Sequence, residues 1–176
     1  MRRIAVALLL ATFCGTAAAH PFHAVTGGAA AGFLHPFTGL DHLIAMLAVG
    51  VWAAQLGGRA RWIIPMAFVG AMAAGGLLGF AGLVPPLAEQ MIAASVAVLG
   101  LQIVTRTRLA PALGAALVGA FAVFHGAAHA AELPHAASAL AYAAGFCAAT
   151  ALLHAAGVGA GVLAAQRFSR FICAAG

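Results

Sequence analysis

The chain has 176 residues, 65% of them hydrophobic and 6% charged, with a mean hydropathy of +1.09. A water-soluble domain carries roughly 25% charged residues to wet its surface, so this composition excludes an ordinary soluble enzyme, a disordered tail and a disulfide scaffold. The net charge of +5 comes from arginines in separated pairs, Arg2/Arg3, Arg59/Arg61, Arg106/Arg108 and Arg167/Arg170. A nucleic-acid site needs a clustered basic face, whereas pairs between apolar stretches are the pattern of membrane loops.

Residues 1–19 read as a cleaved secretory signal peptide: Arg2 and Arg3, an apolar core from Ile4 to Phe13, then Ala17-Ala18-Ala19 as a cleavage site. Ten apolar residues are too few to cross about 30 Å of hydrocarbon. Residues 20–176 then form one transmembrane domain. Its apolar stretches run over about 37–56, 62–84, 89–105, 109–131 and 135–157, each near the ~20 residues that a crossing helix needs. Helices are required because lipid cannot satisfy backbone amides, and nothing alternates as barrel strands do. The fold expected is an all-α integral membrane bundle of five spans, or six if a further helix starts after Gly157-Val158-Gly159. Gly75 and Gly79 form a small-xxx-small pair suited to close helix approach.

The Arg pairs orient the bundle. They follow the first, third and fifth spans, while Pro85-Pro86-Leu87 and Glu132-Leu133-Pro134 contain none. The positive-inside rule places the Arg-bearing loops and the carboxyl terminus in the cytoplasm and the mature amino terminus outside. A secretory signal demands the same.

Ionisable groups at membrane depth are costly, so they mark function by default. One cluster is His35-Pro-Phe-Thr-Gly-Leu-Asp41-His42, where helical spacing puts His35 and His42 on one face. The other is His125-Gly-Ala-Ala-His129-Ala-Ala-Glu132, whose i, i+4, i+7 spacing makes one stripe. Imidazole with carboxylate suits Zn, Ni, Co, Fe and Mn, and suits Cu(I) poorly. Because the first span runs inward and the fourth outward, the clusters can meet in the outer half of the membrane, with His125 about 10 Å below Glu132. A ladder of ligands fits a translocating cation, which must leave each site again. Blander readings stand beside this one. His154 is either a satisfied core residue or a ligand. His20 and His23 are either tail residues or metal capture at the mouth. Met46 reads as packing, Ser95 and Gln102 as hydrogen-bonding residues, Glu89 as a vestibule charge or a wet residue, and Cys147 as a buried thiol.

His35-Pro36-x-x-Gly39-x-Asp41-His42, followed by Ala45-Met46 and Val49-Gly50, resembles the first-span signature of the HupE/UreJ family. These are small nickel/cobalt secondary permeases associated with hydrogenase and urease gene clusters. Phe124-His125-Gly126-x-Ala128-His129-x-x-Glu132-Leu133-Pro134 resembles the second motif, with Ala130 where the family usually has Gly, and Gly145 to His154 with Thr150 is similar too. The resemblance implies uptake of nickel or cobalt ion, as transported substrate, across a bacterial inner membrane. It implies His35, Asp41, His42, His125, His129 and Glu132 as metal ligands, no organic cofactor and no enzymatic activity. The partners implied are the divalent ion, the lipid bilayer and a link to hydrogenase or urease maturation, with no nucleic acid. Other classes remain open: an intramembrane di-iron enzyme, a haem-binding electron carrier, or a sensor that binds metal without moving it. A zinc protease would want H-E-x-x-H, and ATP hydrolysis G-x-x-x-x-G-K-[ST]; the sequence has neither.

Overall fold

A computed structural model describes residues 28–131, 133 and 138–175, with side chains as far as Arg167. Glu132, His135, His20, His23 and the proposed signal peptide lie outside the described residues. All regular structure among the described residues is helical: α1 (Ala29–Leu34), a 3-10 turn (His35–Phe37), α2 (Leu40–Leu56), α3 (Ala60–Phe80), α4 (Ala88–Thr105), α5 (Pro111–Ala131) and α6 (Ala139–Ala175). Among the described residues α3, α4, α5 and α6 are each long and apolar enough to cross a membrane, and α1 with α2 makes a fifth when the bent pair is counted as one span.

Local chemistry sets the helix ends. Pro111 opens α5, where its missing N–H is an orphan position anyway. Gly57, at φ 76, ends α2 in a conformation that side chains avoid. Pro65 sits within α3, tolerated in membrane helices because neighbours re-satisfy the freed carbonyl.

The first span differs from its sequence expectation. The chain is not one helix from Phe37 to Leu56: α1 and α2 meet at 85°. Pro36 enforces a short turn, and Gly39 is extended at φ −111, ψ 124. His35 and His42 therefore sit on different elements, and the shared helical face expected of them is absent. The last span differs as well. α6 continues without interruption through Gly157, Gly159 and Gly161, so no separate sixth helix starts there.

Small residues decide the packing. α3 lies along α5, the most extensive helix pair in the bundle. A Cβ at Gly75 would collide with the carbonyl of Val123, one at Gly79 with that of Ala127, and one at Gly126 with that of Met72. The small-xxx-small expectation for Gly75 and Gly79 thus describes a real backbone contact. α2 pairs with α6 in the same manner, with Gly50 against the His154 carbonyl and Gly157 against that of Leu47. α1 crosses the first turns of α6, Gly32 facing Tyr142 and Gly145 facing Ala29.

Between these pairs lies a core containing Met46, Val49, Trp52, Ile64, Phe68, Met72, Leu99 and Val118. Toward the Arg-bearing ends it is wholly apolar, Trp52, Ile64, Leu99 and Val118 each being completely buried. Trp52 Nε1 donates to the Thr107 carbonyl at 3.4 Å, tying α2 to the chain beyond α4.

Candidate metal path

The polar side chains gather at the opposite end, around the break between α1 and α2. Asp41 occupies the first turn of α2, where a helix amino terminus favours negative charge. Its Oδ1 accepts the His42 backbone N–H at 2.9 Å and lies 2.7 Å from His42 Nδ1. His42 Nε2 is 2.6 Å from His129 Nε2, and His129 Nδ1 is 3.1 Å from His35 Nε2. Asp41, His42, His129 and His35, from three separate elements, form one continuous row.

The tautomers follow from which groups can only accept. An ionised carboxylate only accepts, so His42 Nδ1 carries a proton and a neutral His42 has its lone pair on Nε2. His129 must then donate from Nε2, leaving its Nδ1 to accept from His35 Nε2–H. Each ring is satisfied as a neutral imidazole. The lone pairs of His42 and His129 are consequently covered by the N–H of the next ring. A metal–imidazole bond is about 2.0–2.1 Å, so no ion fits between nitrogens 2.6 Å apart. Accordingly, among the described residues no three His, Cys, Asp or Glu side chains converge on a point able to hold an ion. The row is a hydrogen-bonded arrangement of groups with ligand chemistry.

From Asp41 inward burial deepens, the Asp41 side chain being 25% exposed, His42 12% and His129 7%, with His125, beside the row, 0% exposed and His35 at its other end half-buried. The His42 and His125 rings lie 5.6 Å apart by centroid. His125 Nδ1 donates to the Phe121 carbonyl at 2.9 Å, one turn back on α5. Aromatic rings wall the row, Phe146 lying 5.7 Å from His35 and 5.0 Å from His129, and Tyr142 lying 5.9 Å from His35. A cleft of about 360 Å³ between α3, α5 and α6 reaches His129 past Leu77, Phe80 and Tyr142.

Of the residues expected from the sequence, His35, Asp41, His42, His125 and His129 come together. Glu132 lies just beyond the described end of α5. His154 stands deeper, on α6. Glu89 is exposed in the first turn of α4. Ser95 is fully buried and bonds only within its own helix, to the Ile92 carbonyl at 2.6 Å. Tyr142, Phe146, Phe68 and Met72 were not singled out by sequence reasoning. Tyr142, Phe146, Thr150 and His154 recur every four residues, and that stripe was the available signal.

Apolar helices of membrane length around a row of imidazoles and one carboxylate define a multi-pass membrane protein with a polar track entering its core. The chain belongs to the HupE/UreJ family, matching "HupE / UreJ protein" over residues 7–176. It is similar to "Protein HupE" of Rhizobium leguminosarum bv. viciae, with 49% identity over 143 residues, covering 81% of this chain and 73% of that protein. No solved structure matches the chain.

Proposed function

We propose that this protein carries a divalent transition-metal ion, nickel or cobalt, inward across the bacterial inner membrane and so supplies metalloenzymes such as hydrogenase or urease. Family membership supports this class of role. The observation that carries the reading is the row of Asp41, His42, His129 and His35, in which the lone pairs of His42 Nε2 and His129 Nδ1 become ligands once the ring-to-ring hydrogen bonds part. Glu132 joins the ligand set, and His20 and His23 gather the ion at the mouth. The mature amino terminus is periplasmic and the Arg-bearing loops and carboxyl terminus are cytoplasmic.

Displacing the inter-ring bonds keeps binding loose. Each accepting nitrogen exchanges a hydrogen bond for a metal bond, so part of the binding energy is spent on opening the row. A conducting site has to release what it captures, and this exchange supplies that weakness. The uncharged wall of Tyr142 and Phe146 adds no ligand that would trap the ion.

The experiment is radioactive nickel uptake in cells lacking other nickel importers, comparing the parent with His42→Ala, His129→Ala and Glu132→Ala. Uptake should fall at least about tenfold in each, with protein levels checked in membranes. Parent-level accumulation in all three would remove the ligand assignment.

A further inference from the structure

His154 is buried in α6, 1% exposed, with Nδ1 2.7 Å from the carbonyl oxygen of Met46. A carbonyl only accepts, so Nδ1 bears the proton and Nε2 presents a bare lone pair. Among the described residues that Nε2 has no hydrogen-bond partner, and neither has Nε2 of His125. Both imidazoles are thus pinned through one N–H to a backbone carbonyl with the other nitrogen unengaged, which is how metal-ligating histidines are commonly held. Buried polar atoms normally find partners, and packing alone would be served as well by an apolar residue.

The surroundings of His154 carry further donor atoms. One turn back on α6, Thr150 is fully buried, and its hydroxyl oxygen lies 3.4 Å from Met46 Sδ and 3.8 Å from Met72 Sδ, its single proton facing the pair. Met46 and Met72 thus bring their thioethers to one hydroxyl from two different helices. The Phe68 ring meets both imidazoles edge-on, with centroids 5.5 Å from His125 and 5.0 Å from His154. Met46 follows His42 by one helical turn toward the Arg-bearing ends, so this group lies beyond the row already described.

We propose that His154 Nε2, with the thioethers of Met46 and Met72, forms an inner station that receives a late first-row divalent ion from His125. The proposal rests on the transport reading and extends the path past the membrane's outer half. Imidazole and thioether nitrogen and sulfur donors favour nickel or cobalt over magnesium or calcium. All three are neutral, so the ion is held without a counter-charge and moves on readily. The apolar layer of Trp52, Ile64, Leu99 and Val118 lies next along the route.

The test uses the purified full chain in proteoliposomes, measuring initial rates of radioactive nickel uptake, and in detergent, measuring equilibrium nickel binding. His154→Asn places an amide N–H where Nδ1 stands, so it keeps the bond to Met46 while deleting the Nε2 lone pair. We expect uptake at least about tenfold slower, with equilibrium binding within about twofold of the parent because the outer row is intact. A purely structural His154 would be rescued by asparagine, and a parental uptake rate overturns the inner station. If His129→Ala has lost uptake in the same assay, the transport reading survives that result. Should His154→Asn fail to fold, Met72→Leu decides, because this swap conserves volume: a several-fold slower rate supports the station and an unchanged rate overturns it. If His129→Ala transports like the parent, the transport reading falls and the inner station with it.

Discussion

Asp41 governs more than its own charge. By accepting from His42 Nδ1 it dictates which nitrogen of His42 faces His129, and through that contact which nitrogen of His129 faces His35. Asp41→Asn can present an amide N–H to His42 and reverse the tautomer, so nickel uptake should drop about 10- to 100-fold, the usual cost of losing an orienting partner. A kinetic assay in proteoliposomes checks this. Proton competition gives a second prediction. Imidazole must be neutral to bind metal, and protonation sets in below its ordinary value of about 6.5. Uptake should therefore decline as external pH falls from 7.5 to 5.5, and a flat profile would argue against imidazole capture. At this scale much was legible. The spacing of His125 and His129, and of Asp41 and His42, identified residues that meet. The Phe146 and Tyr142 walls were legible only through their four-residue recurrence with Thr150 and His154, because single aromatic residues in an apolar span read equally well as lipid-facing.

The helices themselves show what composition can and cannot encode. Long apolar runs announced α3, α4 and α5 nearly to their ends, since only a helix satisfies its own backbone in lipid. The corner in the first span was missed because His35 and His42 fit a seven-residue helical spacing, while Pro36 and Gly39 between them carried the opposite signal. The glycines of α6 misled in the other direction. Gly157 resembles a break, yet a Cβ there would strike the Leu47 carbonyl, so its smallness serves contact with α2. The same argument gives a paired prediction. Gly126→Ala forces a methyl onto the Met72 carbonyl and should destabilise the protein by about 1–3 kcal/mol. Gly70→Ala meets nothing within 4 Å and should be neutral or slightly stabilising through helix propensity. Thermal unfolding of the two purified variants in detergent separates these outcomes.

For the whole molecule, the imidazole row gathers toward one end and the wholly apolar part of the core toward the other. Two like-directed pairs, α3 with α5 and α2 with α6, hold the imidazole row between them. Arg59, Arg61, Arg106 and Arg108 all lie beside the apolar end. The positive-inside rule turns this asymmetry into a sidedness. A single cysteine introduced at Val84 should react with a membrane-impermeant maleimide in spheroplasts, whereas one at Thr107 should react only after the membrane is opened. Reversed labelling would invert the proposed direction of transport.

The 85° corner between α1 and α2 has a mechanical corollary. A straight rod through positions 35 and 42 would fix the gap between their rings once and for all. With the corner at Thr38 and Gly39, His35 is instead carried by the segment that packs on the first turns of α6, while Asp41 and His42 belong to α2. The row therefore ties together segments that no helical ladder couples, and its inter-ring hydrogen bonds are the links between them.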